Sequence, residues 1–296
     1  MKSTKPKSRK KKFKKRIGSA AFLAPSGLGV LAFFVAPFIV VIFYSIVNNP
    51  IQKKFVGIDN YAALIDNSAF RQAITNTFVF SLIAVPLIVI LSLLIALLMD
   101  YKIPFGSQFK TIFLSPLVVP IASVVLVWQV MFDVNGALNS FLSNFGVAPI
   151  DWMDSKYNVL IILTLFLWKN IGYNMILFLA GLGNIPKDLV EMAKLEHANS
   201  WQIFWKIKFR YLSPTLFFVT IISLINSFKI FREVYLLTGG YPYGNIYYLQ
   251  HFMNNQFEKL DYQKISSAAI IMCAFMVVLV GILFIVENKF GKEVEE

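Results

Sequence analysis

A chain of 296 residues that is 57% hydrophobic and only 15% charged lies far from the usual composition of a water-soluble protein. Its apolar residues arrive in blocks long enough to cross about 30 Å of hydrocarbon as helices, so water is not its main solvent. The net charge of +12 does not argue for a nucleic-acid partner, because ten of the Lys and Arg residues lie between Lys2 and Arg16 with no acid among them, a membrane-topology signal first.

The basic tail, residues 1–17, leads into an almost unbroken apolar run from Gly18 to Val47. That run is too long for the core of a secretory signal, and the small residues Ser19, Ala20 and Ala21 precede it instead of following it. It is therefore predicted to be the first of six spans. These cover Ala20 to Val47, Phe78 to Met99, Thr111 to Phe132, Val159 to Leu182, Leu212 to Phe231 and Ser266 to Glu287. The chain divides into the tail, residues 18–72 as first span and external loop, residues 73–287 as the transmembrane core, and a C-terminal tail 288–296. An all-α, polytopic fold is expected.

An even number of spans puts both termini on one side. With that side cytoplasmic, nineteen Lys and Arg fall inside and seven outside, in keeping with the positive-inside bias. Pro25, Pro37, Pro86, Pro116, Pro120 and Pro214 mark the spans, where kinks are expected from the missing N–H and the crowded preceding turn. Cys273, in the last span, is the only cysteine, which rules out an internal disulfide. The histidines His197 and His251 fall on opposite sides of this topology, so no shared metal site is expected.

The loop from Gly183 to Tyr211 is charged and amphipathic. Asp188 to Ala198 is predicted as one short helix, with Leu189, Val190, Ala193 and Leu195 on an apolar side and Lys187, Glu191, Lys194 and Glu196 on a charged one. Trp201 to Phe209 is predicted as a second. Together they would form a compact knob that a soluble partner could grip; the alternative is an amphipathic connector resting on the bilayer.

Glu191-Met192-Ala193-Lys194-Leu195-Glu196-His197-Ala198, followed by Trp201, Phe204, Ile207 and Pro214, resembles the EAA motif of permease subunits of type I ABC importers, most closely sugar permeases of the maltose and glycerol-phosphate type. Phe55 to Tyr61, Asn76-Thr77, Gly136, Asn139, Trp168, Gly172, Leu179 to Leu182, Ile185-Pro186 and Leu237 to Gly240 also follow in family order. His197 replaces the motif's glycine, Met192 its second alanine, and Arg210 a proline common in the second short helix. The glycine loss puts the tightness of the bend in question. The resemblance implies a permease that binds no ATP itself: ATP and Mg belong to two partner ATPase subunits, and no G-x-x-x-x-G-K-[ST] occurs here. It further implies a second homologous permease and an extracellular substrate-binding lipoprotein. Glu191, Met192, Ala193, Lys194, Glu196, His197 and Ala198 would contact the ATPase. No catalytic residue is expected.

Polar groups inside a span mark a pathway or a packed interior by default. Trp168, Lys169, Asn170, Tyr173 and Asn174 in the fourth span, and Ser223, Asn226 and Lys229 in the fifth, are the substrate-pathway candidates. An aromatic platform beside amides and cations suits a sugar. Lys169, Lys229 and Arg232 would also suit an acidic sugar or phosphorylated polyol. The opposing reading is that these groups bond neighbouring helices. Glu233, one turn beyond Lys229, is placed to pair with it. An ion-gradient-driven transporter and a membrane scaffold are the rival functions. The first lacks the intramembrane carboxylates of an ion relay, and the second leaves the polar midsections unexplained.

Overall fold

A computed structural model describes residues 22–101 and 106–295, with side chains to residue 288; the basic tail lies outside the described residues. Six helices are long and apolar enough to cross a membrane. In chain order the elements are α1 (Phe22–Ser45), α2 (Asp59–Asp66), α3 (Ser68–Asp100), α4 (Gly106–Val118), α5 (Ile121–Phe132), α6 (Ala137–Ser143) and α7 (Asn158–Gly183). They continue with α8 (Lys187–Leu195), α9 (200–228), α10 (Phe231–Thr238), α11 (Leu249–Glu258) and α12 (Tyr262–Glu295). The described residues contain no strand, only an isolated bridge between Val47 and Phe55.

Two predicted elements change form. The third span is two helices, because Pro120 offers no N–H to a continuing ladder and pushes Val119 out of helical geometry; α5 starts afresh after it. The second short helix of the loop is not separate. Ser200–Ile203 runs through a wide π turn, Phe204–Lys208, straight into Phe209–Phe228, so the knob's second half and the fifth span are one helix. Pro214 lies inside it instead of opening a span. A similar π turn, Leu31–Val35, precedes Pro37 in α1, with Ala36 N–H reaching back to the Leu31 carbonyl.

The centre of the bundle is α3 packed on α7, with α9 against both. Phe80, Ala84 and Ile88 meet Phe166, Met175 and Phe178, while Leu212 and Val219 contribute from α9. Burial here is dispersion and shape fitting more than escape from water, because lipid tails are as apolar as the core. Gly172 shows how tight the fit is: a Cβ there would lie 1.8 Å from the Phe113 carbonyl oxygen of α4, so only glycine lets those backbones touch.

The connections opposite the 183–211 loop are tied by amides. Asn60 donates to the carbonyls of Ser45 and Val47, both at 2.9 Å. Asn76 reaches the Tyr247 carbonyl at 3.0 Å, and the Leu249 N–H donates to Thr77 Oγ1 at 2.9 Å. Asn139 alone anchors loop 133–152, donating to the Val134 and Ile150 carbonyls and accepting from Ile150 N–H and Trp152 Nε1. Several loop positions of the family pattern thus have structural work: unpaired backbone groups at the ends of spans must find partners.

His251 sits fully buried in α11, between the fifth and sixth spans, with its Nδ1 accepting from Tyr248 N–H at 3.1 Å. The edge of the Phe231 ring lies against it. Burial pushes its pKa from 6.5 down to about 3. The unfolded chain therefore takes up a proton below pH 6.5 that the folded chain refuses until about pH 3, and stability falls as pH drops through that window. Thermal unfolding of the purified protein should show a lower melting temperature at pH 5 than at pH 7. His251→Gln, which keeps an acceptor and cannot titrate, should reduce that difference.

Candidate functional site

The loop between α7 and α9 builds the knob from local rules. Pro186 precedes α8, suited to a helix start. Asp188 lies in its first turn and Lys194 in its last, each complementing the helix dipole. Asn199 caps α9 in a reciprocal box, accepting from Gln202 N–H at 2.8 Å while Gln202 Oε1 accepts from Asn199 N–H at 2.9 Å.

Between the two helices His197 takes φ 59°, the left-handed region that its motif position calls for. Its N–H bonds to the Lys194 carbonyl at 3.0 Å and Ala198 N–H to the Ala193 carbonyl at 2.9 Å, a complete Schellman closure. The tight bend therefore survives the loss of glycine, at the strain a side chain pays in this conformation. Replacing His197 by Gly should raise the melting temperature, on a gain of about 1 kcal/mol, whereas His197→Val should lower it. Thermal denaturation of the two variants side by side measures the bend directly.

The candidate contact residues do not share one face. Glu191, Met192, Lys194, Glu196 and His197 are exposed, while Ala193 and Ala198 are half-buried. Met192 and Leu195 point outward, 57% and 80% exposed. Val190 and Lys194, one turn apart, instead line the hollow between α8 and the end of α3. There Lys208 donates to Asp100 Oδ2 at 2.6 Å, a clamp from α9 to α3 that sequence reasoning missed because the two residues are 108 positions apart. Beside it is a cavity of about 270 Å³, which Glu191 also lines.

The pathway candidates split by face. Asn170, Asn174 and Ser223 are buried. Asn174 Nδ2 donates to Ser223 Oγ at 2.8 Å and Asn226 Nδ2 to Asn170 Oδ1 at 3.1 Å, so these four stitch α7 to α9. Ser81 and Ser227, 2.8 Å apart, extend the stitching to α3. Trp168 and Tyr173 are 38% and 37% exposed. The Trp168 ring packs at a tilt of 40° against Trp128 of α5, 5.4 Å between centroids. Lys229 and Arg232 are exposed at the break after α9.

Glu233 does not pair with Lys229. Its carboxylate, 3% exposed, pairs with Lys169 of α7, because the break after α9 lays α10 on α5 with Glu233 turned inward while Lys229 stays outside. A signal was present: Glu233 is the only acid between Glu196 and Glu258. Its second oxygen, Oε2, is buried with no hydrogen-bond partner among the described residues, so the charge depends on Lys169. Lys169→Met should cost about 2–4 kcal/mol, below the fully buried case because the lysine is a third exposed. Lys169→Met with Glu233→Leu should recover most of that loss. A double-mutant cycle in thermal denaturation checks both.

The comparisons with known proteins agree with this architecture. The family model "Binding-protein-dependent transport system inner membrane component" matches residues 60–290. The chain is 32% identical over 242 residues to the arabinooligosaccharides transport system permease protein AraP of Bacillus subtilis, covering 79% of this chain and 76% of that one. It is 30% identical over 272 residues to the multiple sugar-binding transport system permease protein MsmF of Streptococcus mutans, covering 90% and 92%. In fold it is similar to a chain of a bacterial ABC transporter involved in the import of the acidic polysaccharide alginate, with a TM-score of 0.82, 21% identity, and coverage of 94% and 98%. A match across residues 60–290 makes this chain a member of the family of inner membrane components of binding-protein-dependent transport systems.

Proposed function

We propose that the chain is a permease subunit of an ATP-driven importer that moves an oligosaccharide across the cytoplasmic membrane by alternating access. The carrying observation is that the two helices flanking the knob, α7 and α9, are the two that bear the polar midsection. Force applied at α8 reaches that midsection through α7 on one side and, on the other, through α9, which runs unbroken from the knob into the fifth span and is clamped to α3 by Lys208 and Asp100. Sugar permeases among the relatives, AraP and MsmF, support the cargo class.

In this reading the loop 183–211 and both termini are cytoplasmic, and α8 docks on one of two ATPase subunits through Glu191, Met192, Ala193, Glu196, His197 and Ala198, with Lys194 turned to the hollow on its other side. A second homologous permease completes the pathway, and an extracellular binding lipoprotein delivers the sugar. A chain similar in fold, with a TM-score of 0.78, belongs to a bacterial alginate ABC transporter in complex with alginate pentasaccharide-bound periplasmic protein. Trp168 and Tyr173 offer ring faces to the apolar side of a sugar, and Trp128 backs Trp168. The stitched amides Asn170, Asn174 and Asn226 hold the two helices in register. Lys229 and Arg232, exposed beside this face, favour a second reading in which the cargo is acidic or phosphorylated.

The test is ATP hydrolysis by the complex reconstituted in lipid with its permease and ATPase partners. The binding protein is added with neutral oligosaccharides, uronate oligomers or a polyol phosphate. Hydrolysis should rise with one liganded binding protein, and Glu191→Ala should reduce that stimulation at least tenfold. Stimulation by a neutral sugar supports the main reading and by a charged cargo the second. A stable complex whose hydrolysis responds neither to cargo nor to Glu191 overturns the coupling assignment.

A further inference from the structure

Beside the hollow under α8, and sharing Val190, Lys194 and Lys208 with it, is a larger chamber of about 420 Å³ and mixed character. Leu94 and Leu97, one turn apart at the end of α3, and Ile203 give it apolar walls; Tyr101, Trp201 and Phe204 add rings; Lys194 and Lys208 add two cations. Lys208 is held by Asp100 at 2.6 Å and lies 5.8 Å from the Tyr101 ring centroid. Lys194 is in no ion pair among the described residues; Glu191 and Lys187 line the adjoining hollow, so across the two spaces three lysines outnumber the two acids, Asp100 and Glu191.

The chamber sits where a span begins. Trp201, Trp205 and Phe209 follow one another at four-residue spacing along α9, with centroids 5.6 Å and 4.9 Å apart. Trp201 is 69% and Trp205 45% exposed. The same helix then continues as an apolar span. Exposed tryptophans beside lysines at the mouth of a span are what the headgroup layer selects, since indole rings and lysine stems are apolar and their tips polar.

The two sides of α8 also differ. Met192 and Leu195 face away, and Val190 and Lys194 face the chamber. A protein gripping the outer side of α8 leaves the chamber to another occupant. We propose that the occupant is an anionic phospholipid, its phosphate between Lys194 and Lys208 and its upper acyl chain along Leu94 and Leu97. Excess positive charge selects a net-negative headgroup over a zwitterionic one, whose own cation would face the lysines.

The test uses the assembled complex, ATPase subunits included, in nanodiscs doped with brominated phosphatidylglycerol or brominated phosphatidylcholine of the same chains. Subtracting the emission of the variant carrying Trp201→Phe and Trp205→Phe isolates two of the five tryptophans. Brominated phosphatidylglycerol should quench that component at a several-fold lower mole fraction than brominated phosphatidylcholine. Lys194→Gln, a change at an exposed residue that leaves the clamp intact, should raise the phosphatidylglycerol fraction needed by about fivefold. Equal quenching by both lipids, an unchanged preference in Lys194→Gln, displacement by soluble glycerol phosphate, or loss of the preference when the ATPase subunits bind would each overturn the proposal.

Discussion

Hydrocarbon offers no hydrogen bonds, and the rest of this structure depends on that constraint. Backbone groups in the spans pair within helices except where a proline or a break interrupts the ladder, and the buried amides and hydroxyls of the midsection turn to one another. Asn174 with Ser223, Asn226 with Asn170, and Ser81 with Ser227 are the result. Such bonds contribute modestly to stability in a membrane, about 0.6 kcal/mol each on average, but they are directional. Among apolar faces that slide freely, they fix which turn of α7 meets which turn of α9.

The same rule works harder at the Lys169–Glu233 pair. A buried carboxylate with one unpartnered oxygen has a single favourable arrangement, and it ties α10 to α7 across the break after α9. At the other end of the bundle the Asp100–Lys208 pair ties α9 to α3. Of the helices flanking the knob, α9 is thus clamped by charge at its knob end, α7 is tied by charge to α10 near its middle, and amides join the two, with apolar packing filling between.

The gross fold was legible because spans are written in composition. Six apolar runs gave six spans, the third of them broken in two at Pro120, and most other errors were at their ends, where α3 starts ten residues early at Ser68, capped by Asn67. The break at Pro120 was visible as a proline, yet Pro86 and Pro214 sit inside continuous helices. Neighbouring packing decides between these outcomes, and it is absent from a linear pattern. The first short helix of the loop was readable from its amphipathic period. The second merged with the span because Trp201, Trp205 and Phe209 continue in helical step to Leu212, and no breaker precedes Pro214, which the helix accommodates. The polar faces of α7 followed from four-residue spacing, which sorted the asparagines from Tyr173. The partner of Glu233 did not, since i to i+4 reasoning sees one helix and the lysine came from another. His197 in a glycine position shows a related limit: backbone geometry can be kept by a residue that dislikes it when two closing bonds hold it there.

The π turn at Phe204–Lys208 has a mechanical reading. Past it lies a helix of 20 residues, an arm of about 30 Å at 1.5 Å per residue. A tilt of roughly 10° at the wide turn swings the tip of such an arm by about 5 Å, comparable to the width of one sugar ring. In the proposed importer the turn would be a fulcrum beside the knob, gearing a slight nod at one surface of the membrane up into a passage-sized displacement near the other.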